Sequence, residues 1–181
     1  MIFEGTQERE ERAIRIDTVE GPIEGLLYIS PQLRTLDDLN LSKRFVTVYS
    51  PQTTTIRWDF SDRALSIAKT SVLFVRELAA PSVRPNKRFS NFSRSRIRIR
   101  VRDHEVEGFC HVPPGGAPMK RLENGEHPFI SLTTVLVTGP DGEVTVPFLA
   151  VNRAHITAVL ELGLAEEDDD AATVSVTATE A

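Results

Sequence analysis

The chain has 181 residues, 40% hydrophobic and 26% charged, with a formal net charge of −5, the balance of an ordinary globular protein. No apolar run approaches the roughly 18 residues that a membrane-crossing helix needs, and a single cysteine, Cys110, excludes an internal disulfide framework and fits a reducing cytosol. The charge is polarised: eight basic residues and no acid lie between Arg84 and Arg102, whereas Glu166 to Asp170 is an unbroken acidic run, an asymmetry that bears on partners rather than on fold.

Residues 1–11 are polar and unpatterned, which predicts a flexible N-terminus, and they lack the basic and apolar regions of a secretory signal. Ala13 to Asp17 alternates apolar and polar residues, the period-two signature of a half-buried strand. Glu20-Gly21-Pro22 is a turn signal, and residues 23–29 complete a hairpin. Gly25 inside that second strand predicts a bulge or a sharp bend, and such bends close a short sheet into a small barrel. Thr35 and Asp38 fit the capping pattern [ST]-x-x-[DE], so one helical turn is expected over residues 36–40. Further strands are expected over 44–50, 55–60, 64–68 and 71–77.

Residues 81–95 carry prolines, serines and basic side chains, and read as an exposed basic linker. Gly139-Pro140-Asp141-Gly142 is a strong turn signal between two strands. Pro147 has no N–H for a ladder and marks an edge or a bulge. Strands over 149–151 and 156–160 flank a tight reversal at 152–155. Residues 163–181 are small and acidic and are expected to be a disordered tail. No segment shows three turns of helical periodicity.

The two parts repeat one pattern. Arg15-Ile16 recurs as Arg98-Ile99, and Ile23-Glu24-Gly25 as Val106-Glu107-Gly108, each 83 positions later. Leu39 answers Leu122. After one extra residue, Phe45-Val46 matches Phe129-Ile130, Leu65 matches Leu149, and Val75 to Leu78 matches Val159 to Leu162. A register held over so long a stretch marks a duplicated unit. The expectation is an all-β chain of two tandem, pseudo-symmetric, small β-barrel-like units, spanning residues 12–80 and 96–162. A unit of that size buries only about 60% of its unfolded surface, so the copies are expected to pack together or to share strands.

The bent glycine strand, followed by further strands and a final pair joined by a tight turn, resembles the Sm-like small β-barrels, the bacterial Hfq type included. In Phe148 to Val159, a strand, a short turn and a last strand stand where an Sm barrel carries its ring-forming edges. The same stretch, with the Val106-Glu107-Gly108 strand, is similar to a family of short uncharacterised bacterial proteins containing one such unit, which implies no particular activity. Residues 30–44 and 113–128 depart from the Sm pattern, in which the barrel continues directly after the glycine strand. No RNA-contacting residue is carried over.

The basic segment offers the strongest functional signal. Arg94, Arg96, Arg98, Arg100 and Arg102 alternate with Ser95, Ile97, Ile99 and Val101, and Arg84, Lys87 and Arg88 precede them beside Phe89 and Phe92. Guanidinium forks bind phosphates and aromatic rings stack bases, which suits a polyanion; the alternative is a solvated strand face whose charges are met by acids on a neighbouring strand or by the C-terminal acidic run. All four histidines (His104, His111, His127, His155) fall in the second copy near Cys110, without the paired spacing of a zinc site. Cys110 matches Leu27 in the first copy and reads as a small buried hydrophobe. The recurrent Glu24/Glu107 and Glu77/Glu161 read as outward charges that discourage strand pairing with other chains, and Lys69 and Arg153 as caps of the tight turns. The expected function is therefore a non-enzymatic cytosolic adaptor, regulatory or assembly protein without a cofactor, acting through a protein partner or as a homo-oligomer. RNA binding through 84–102 is the alternative.

Overall fold

The computed structural model describes residues 8–61, 63–79, 92–123 and 125–164. Alternation of β-branched and polar residues puts most of these into ten strands: β1 (Glu10–Thr18), β2 (Gly21–Ile29), β3 (Phe45–Gln52), β4 (Leu65–Ala68), β5 (Val72–Glu77), β6 (Ser93–Val101), β7 (His104–Val112), β8 (Phe129–Gly139), β9 (Gly142–Asn152) and β10 (Ile156–Leu164). The two short helices are α1 (Thr35–Leu39) and α2 (Pro118–Glu123). The protein is all-β. Every ladder is antiparallel, and the strands form one sheet in the order β10-β6-β7-β8-β9-β5-β1-β2-β3-β4. Among the described residues no helix is long and apolar enough to cross a membrane.

The two halves of the sheet are paired alike. Ile14 faces Gly25 as Ile97 faces Gly108, and Ile16 faces Val75 as Ile99 faces Val159. Leu26 faces Tyr49 as Phe109 faces Thr133, and Val46 faces Ile67 as Ile130 faces Val151. Even the slips recur: the β1–β5 ladder shifts at Thr18 and the β6–β10 ladder at the matching Val101. The order β5-β1-β2-β3-β4 in the first half is thus β10-β6-β7-β8-β9 in the second.

Each half bends at its matched glycine. A Cβ on Gly25 would stand 2.5 Å from Val48 Cγ1 and 2.7 Å from the Tyr49 carbonyl oxygen; on Gly108 it would stand 3.0 Å from Val135 Cγ2 and 3.2 Å from the Thr133 oxygen. Across the ladder from each glycine, Ser50 and its counterpart Thr134 take left-handed φ values of 46° and 50°. The extra residue of a β-bulge sits there, which sharpens the local twist. Pro147 lies opposite Thr134, where the ladder is already interrupted.

Two apolar clusters follow, and each borrows from the other half. The first gathers Ile14, Ile16, Leu27, Val48, Leu65 and Val75 with Phe129 and Ala150; the second gathers Ile97, Ile99, Val106, Leu132 and Leu149 with Leu73 and Phe74. β5 is buried on both faces as a result, from Val72 through Val75.

Several expectations need correction. Residues 55–60 are not a strand: Thr53 Oγ1 bonds the Pro22 carbonyl at 3.0 Å and accepts the Thr55 N–H at 3.2 Å, and such local bonds compete with a ladder. The helical turn begins one residue earlier than its capping pattern suggested, because Asp37 accepts the Arg34 N–H at 3.1 Å while Thr35 turns inward. The α2 helix has no capping pattern of its own; only the repeat, which matches Leu122 with Leu39 of α1, pointed to it. Glu10 and Glu11 belong to β1, Ser93 to Ser95 to β6, and Gly163 and Leu164 to β10. The rest of the expected tail, and linker residues 81–91, lie outside the described residues.

Candidate functional site

β6 presents its arginines as its alternation requires. Ile97, Ile99 and Val101 are buried, while Arg96, Arg98 and Arg100 are exposed. The neighbouring strand meets them with acids: Glu107 accepts from Arg96 Nε at 2.7 Å and from Arg98 Nε at 2.9 Å, and Glu105 lies 3.3 Å from Arg98. Burial pushes the Glu107 carboxyl up, but the hydrogen bonds from Arg98 and Arg96 outweigh it and hold the group below its ordinary value. Arg100 donates to the Arg102 carbonyl at 3.4 Å, Arg102 to the Val19 carbonyl at 3.3 Å, and the Arg94 guanidinium lies 4.4 Å over the Phe109 ring. Phe92 is half-buried just before β6. Arg84, Lys87, Arg88 and Phe89 lie outside the described residues.

The histidines are dispersed rather than clustered. His111 Nε2 is 3.0 Å from Thr133 Oγ1, and burial, with Arg94 and Arg121 nearby, lowers its pKa. The His104 ring meets Phe74 edge-on at 5.1 Å, His155 Nε2 donates to the Thr70 carbonyl at 2.8 Å, and His127 is exposed in a loop. Cys110 is buried, and burial raises its thiol pKa against the opposing pull of Arg121. Among the described residues, no three His, Cys, Asp or Glu side chains come together as a metal site would require.

The recurrent carboxylates of the last strands have a task that their spacing did not reveal. Glu77 accepts from the Thr35 hydroxyl and from Arg12 Nη1, the latter at 3.1 Å. Glu161 accepts the Met119 N–H at 3.3 Å. Thr35 opens α1 and Met119 is the second residue of α2, so both glutamates tie the last strand of a half to the first turn of its helix. They are not simply outward charges. Lys69 and Arg153 likewise do equivalent work: Lys69 Nζ donates to the Leu41 carbonyl at 2.8 Å, and Arg153 donates to the Leu122 carbonyl at 2.9 Å and to that of Gly125. Each cation holds the loop between helix and strand rather than capping its own turn.

The halves join where β5 pairs with β9, Phe74 opposite Val151 and Val75 opposite Ala150. Asn152, 3% exposed, fastens the seam: its Nδ2 donates to the Lys69 and Val72 carbonyls, both at 2.9 Å, and its Oδ1 accepts the Ala154 N–H at 3.1 Å. Asn40, just after α1, exchanges two bonds with the backbone of Phe129, at 3.1 and 2.9 Å. Beside the seam, Arg15, Asp17, Arg76, His104 and Asp141 line a cleft of about 170 Å³. Burial raises the Asp17 pKa against the pull of Arg15. Sequence reasoning missed Asn152; its only trace is a break in the repeat, since the matching residue is Ala68.

The outer edges of the sheet are β4 and β10, and apolar side chains stand exposed near both: Phe45 beside β4, and Leu160, Leu162 and Leu164 on β10. No protein-family model, no curated protein and no solved structure matches this chain.

Proposed function

We propose that the chain is a non-enzymatic, cytoplasmic assembly or adaptor protein. Its two small β-barrel-like units, of the Sm-like kind, act through protein contacts. The observation that carries this reading is the pair of strand edges, β4 and β10, that no other strand covers among the described residues, with Phe45 47% exposed at one and Leu164 71% exposed at the other. An open edge offers unpaired N–H and C=O groups, a template for another strand. The recurrent polar residues support the reading from the other side. Glu77, Glu161, Lys69 and Arg153 are occupied in holding helices and loops, and Cys110 is buried with a raised pKa, the opposite of an activated nucleophile. The polyanion reading has less behind it, because Glu107 and Glu105 engage Arg96 and Arg98.

The test is the size of the tagged chain at native expression level in its own cell extract, read by gel filtration and chemical cross-linking. The reading expects elution in a species larger than the free chain. Elution as a monomer both in extract and after purification would end it.

A further inference from the structure

Every ladder within the first half has a counterpart within the second. Among the described residues one ladder has no counterpart: β5, the last strand of the first half, pairs with β9, the fourth strand of the second. Its equivalent would pair β10 with β4. Those two strands are the edges of the sheet, with eight others between them, so within one open sheet they do not meet. Two copies of the chain supply the missing pair.

The residues that the internal seam buries have open counterparts on the edges. Leu73 and Phe74 are each 3% exposed; their equivalents Thr157 and Ala158 are exposed. Ala150 is fully buried; its equivalent Ser66 is exposed. Phe129 is 2% exposed and enters the apolar cluster of the other half, whereas Phe45, the same residue at the same place in the first half, is 47% exposed.

From this we infer that the chain binds a second copy of itself head to tail, β10 of one against β4 of the next. The register follows that of the internal seam, with Ala158 opposite Ile67 and Val159 opposite Ser66. This deepens the assembly reading above and rests on it. Phe45 then takes in the next copy the place that Phe129 takes in this one. The contact is heterologous, so it builds a ring if the rotation closes and a filament if it does not. It is also weaker than the internal seam. Thr157 and Ala158 replace Leu73 and Phe74, and Ala68 stands where Asn152 fastens the internal joint, so association depends on concentration.

Sedimentation velocity on the full chain tests this, using Phe45→Glu to spoil the β4 edge and Ala158→Glu to spoil the β10 edge. Both positions are exposed in the single chain, and circular dichroism verifies that each variant is folded. The unaltered protein should rise above its 20.1 kDa chain mass with increasing concentration. Each variant alone should remain at one chain mass. An equimolar mixture should form a 1:1 complex at twice the chain mass and stop, because each variant keeps the edge that the other lacks. An unaltered protein that stays monomeric at several hundred micromolar overturns the inference. So does self-association by either variant alone, which would place the contact on another surface. If the purified chain is monomeric yet large in extract, the head-to-tail contact fails while the assembly reading stands.

Discussion

Replacing Asn152 by alanine removes the side chain that fastens the two halves. It is 3% exposed, donates two hydrogen bonds of 2.9 Å to the Lys69 and Val72 carbonyls, and accepts one of 3.1 Å from Ala154. A hydrogen bond contributes about 1 kcal/mol net, and a buried partner left without one costs about 1–3 kcal/mol. The Lys69 carbonyl keeps the Val72 N–H as a second donor, so its loss is the smaller, and the sum for the variant is about 2–4 kcal/mol. Against a total stability of roughly 5–15 kcal/mol that is a large fraction. Urea unfolding with linear extrapolation measures it. Ala68→Asn, the reverse change at the matching half-exposed position, is the control and should stay within about 0.5 kcal/mol. A loss below about 0.5 kcal/mol for Asn152→Ala would refute the claim that this residue ties the halves together.

The two glycines should differ in their tolerance of alanine. At Gly25 the added Cβ meets the Tyr49 carbonyl at 2.7 Å, and at Gly108 the matching contact is 3.2 Å, so Gly25→Ala should cost about 2–3 kcal/mol and Gly108→Ala about 1 kcal/mol in the same assay; equal costs would contradict the bend geometry. Glu107 supplies a pH dependence. Its carboxyl is held below the ordinary value, so its contribution is present above the unfolded-state carboxylate pKa and lost as pH falls through the lower folded value. The urea midpoint of Glu107→Gln should therefore fall less between pH 7 and pH 3 than that of the unaltered chain. A pH profile as steep as the unaltered protein's would show that the arginines do not hold the charge.

How much of this was legible in the residues can be traced position by position. Alternation at 13–17 and 96–102, the glycines at 25 and 108, and the matched segments were enough for an all-β chain with repeated strands. Local bonding decided what alternation did not. The Thr53 hydroxyl closes a turn in which Thr55 to Phe60 forms no ladder, whereas the Gly139–Gly142 turn lets β8 and β9 run for 11 residues each. The site was less readable for a stronger reason. Phe45 and Phe129 are the same residue in the same ladder, yet one is exposed and the other buried, because burial depends on which edge of the sheet is covered. No property of either residue in isolation carries that difference. The arginine row was visible, but the glutamates that engage it stand on the partner strand, and their meaning depends on register.

Hydrogen exchange along β5 and β10 tests the central claim most directly, since these strands are equivalent in the two halves and β5 is covered by β9 while β10 is an edge. In dilute solution, amides of residues 72–77 should exchange slowly and those of 156–161 faster. As concentration rises, the second segment should slow, and residues 65–68 with it, while the first stays unchanged. Protection of 156–161 that equals that of 72–77 at every concentration, or that never responds to concentration, would contradict the account.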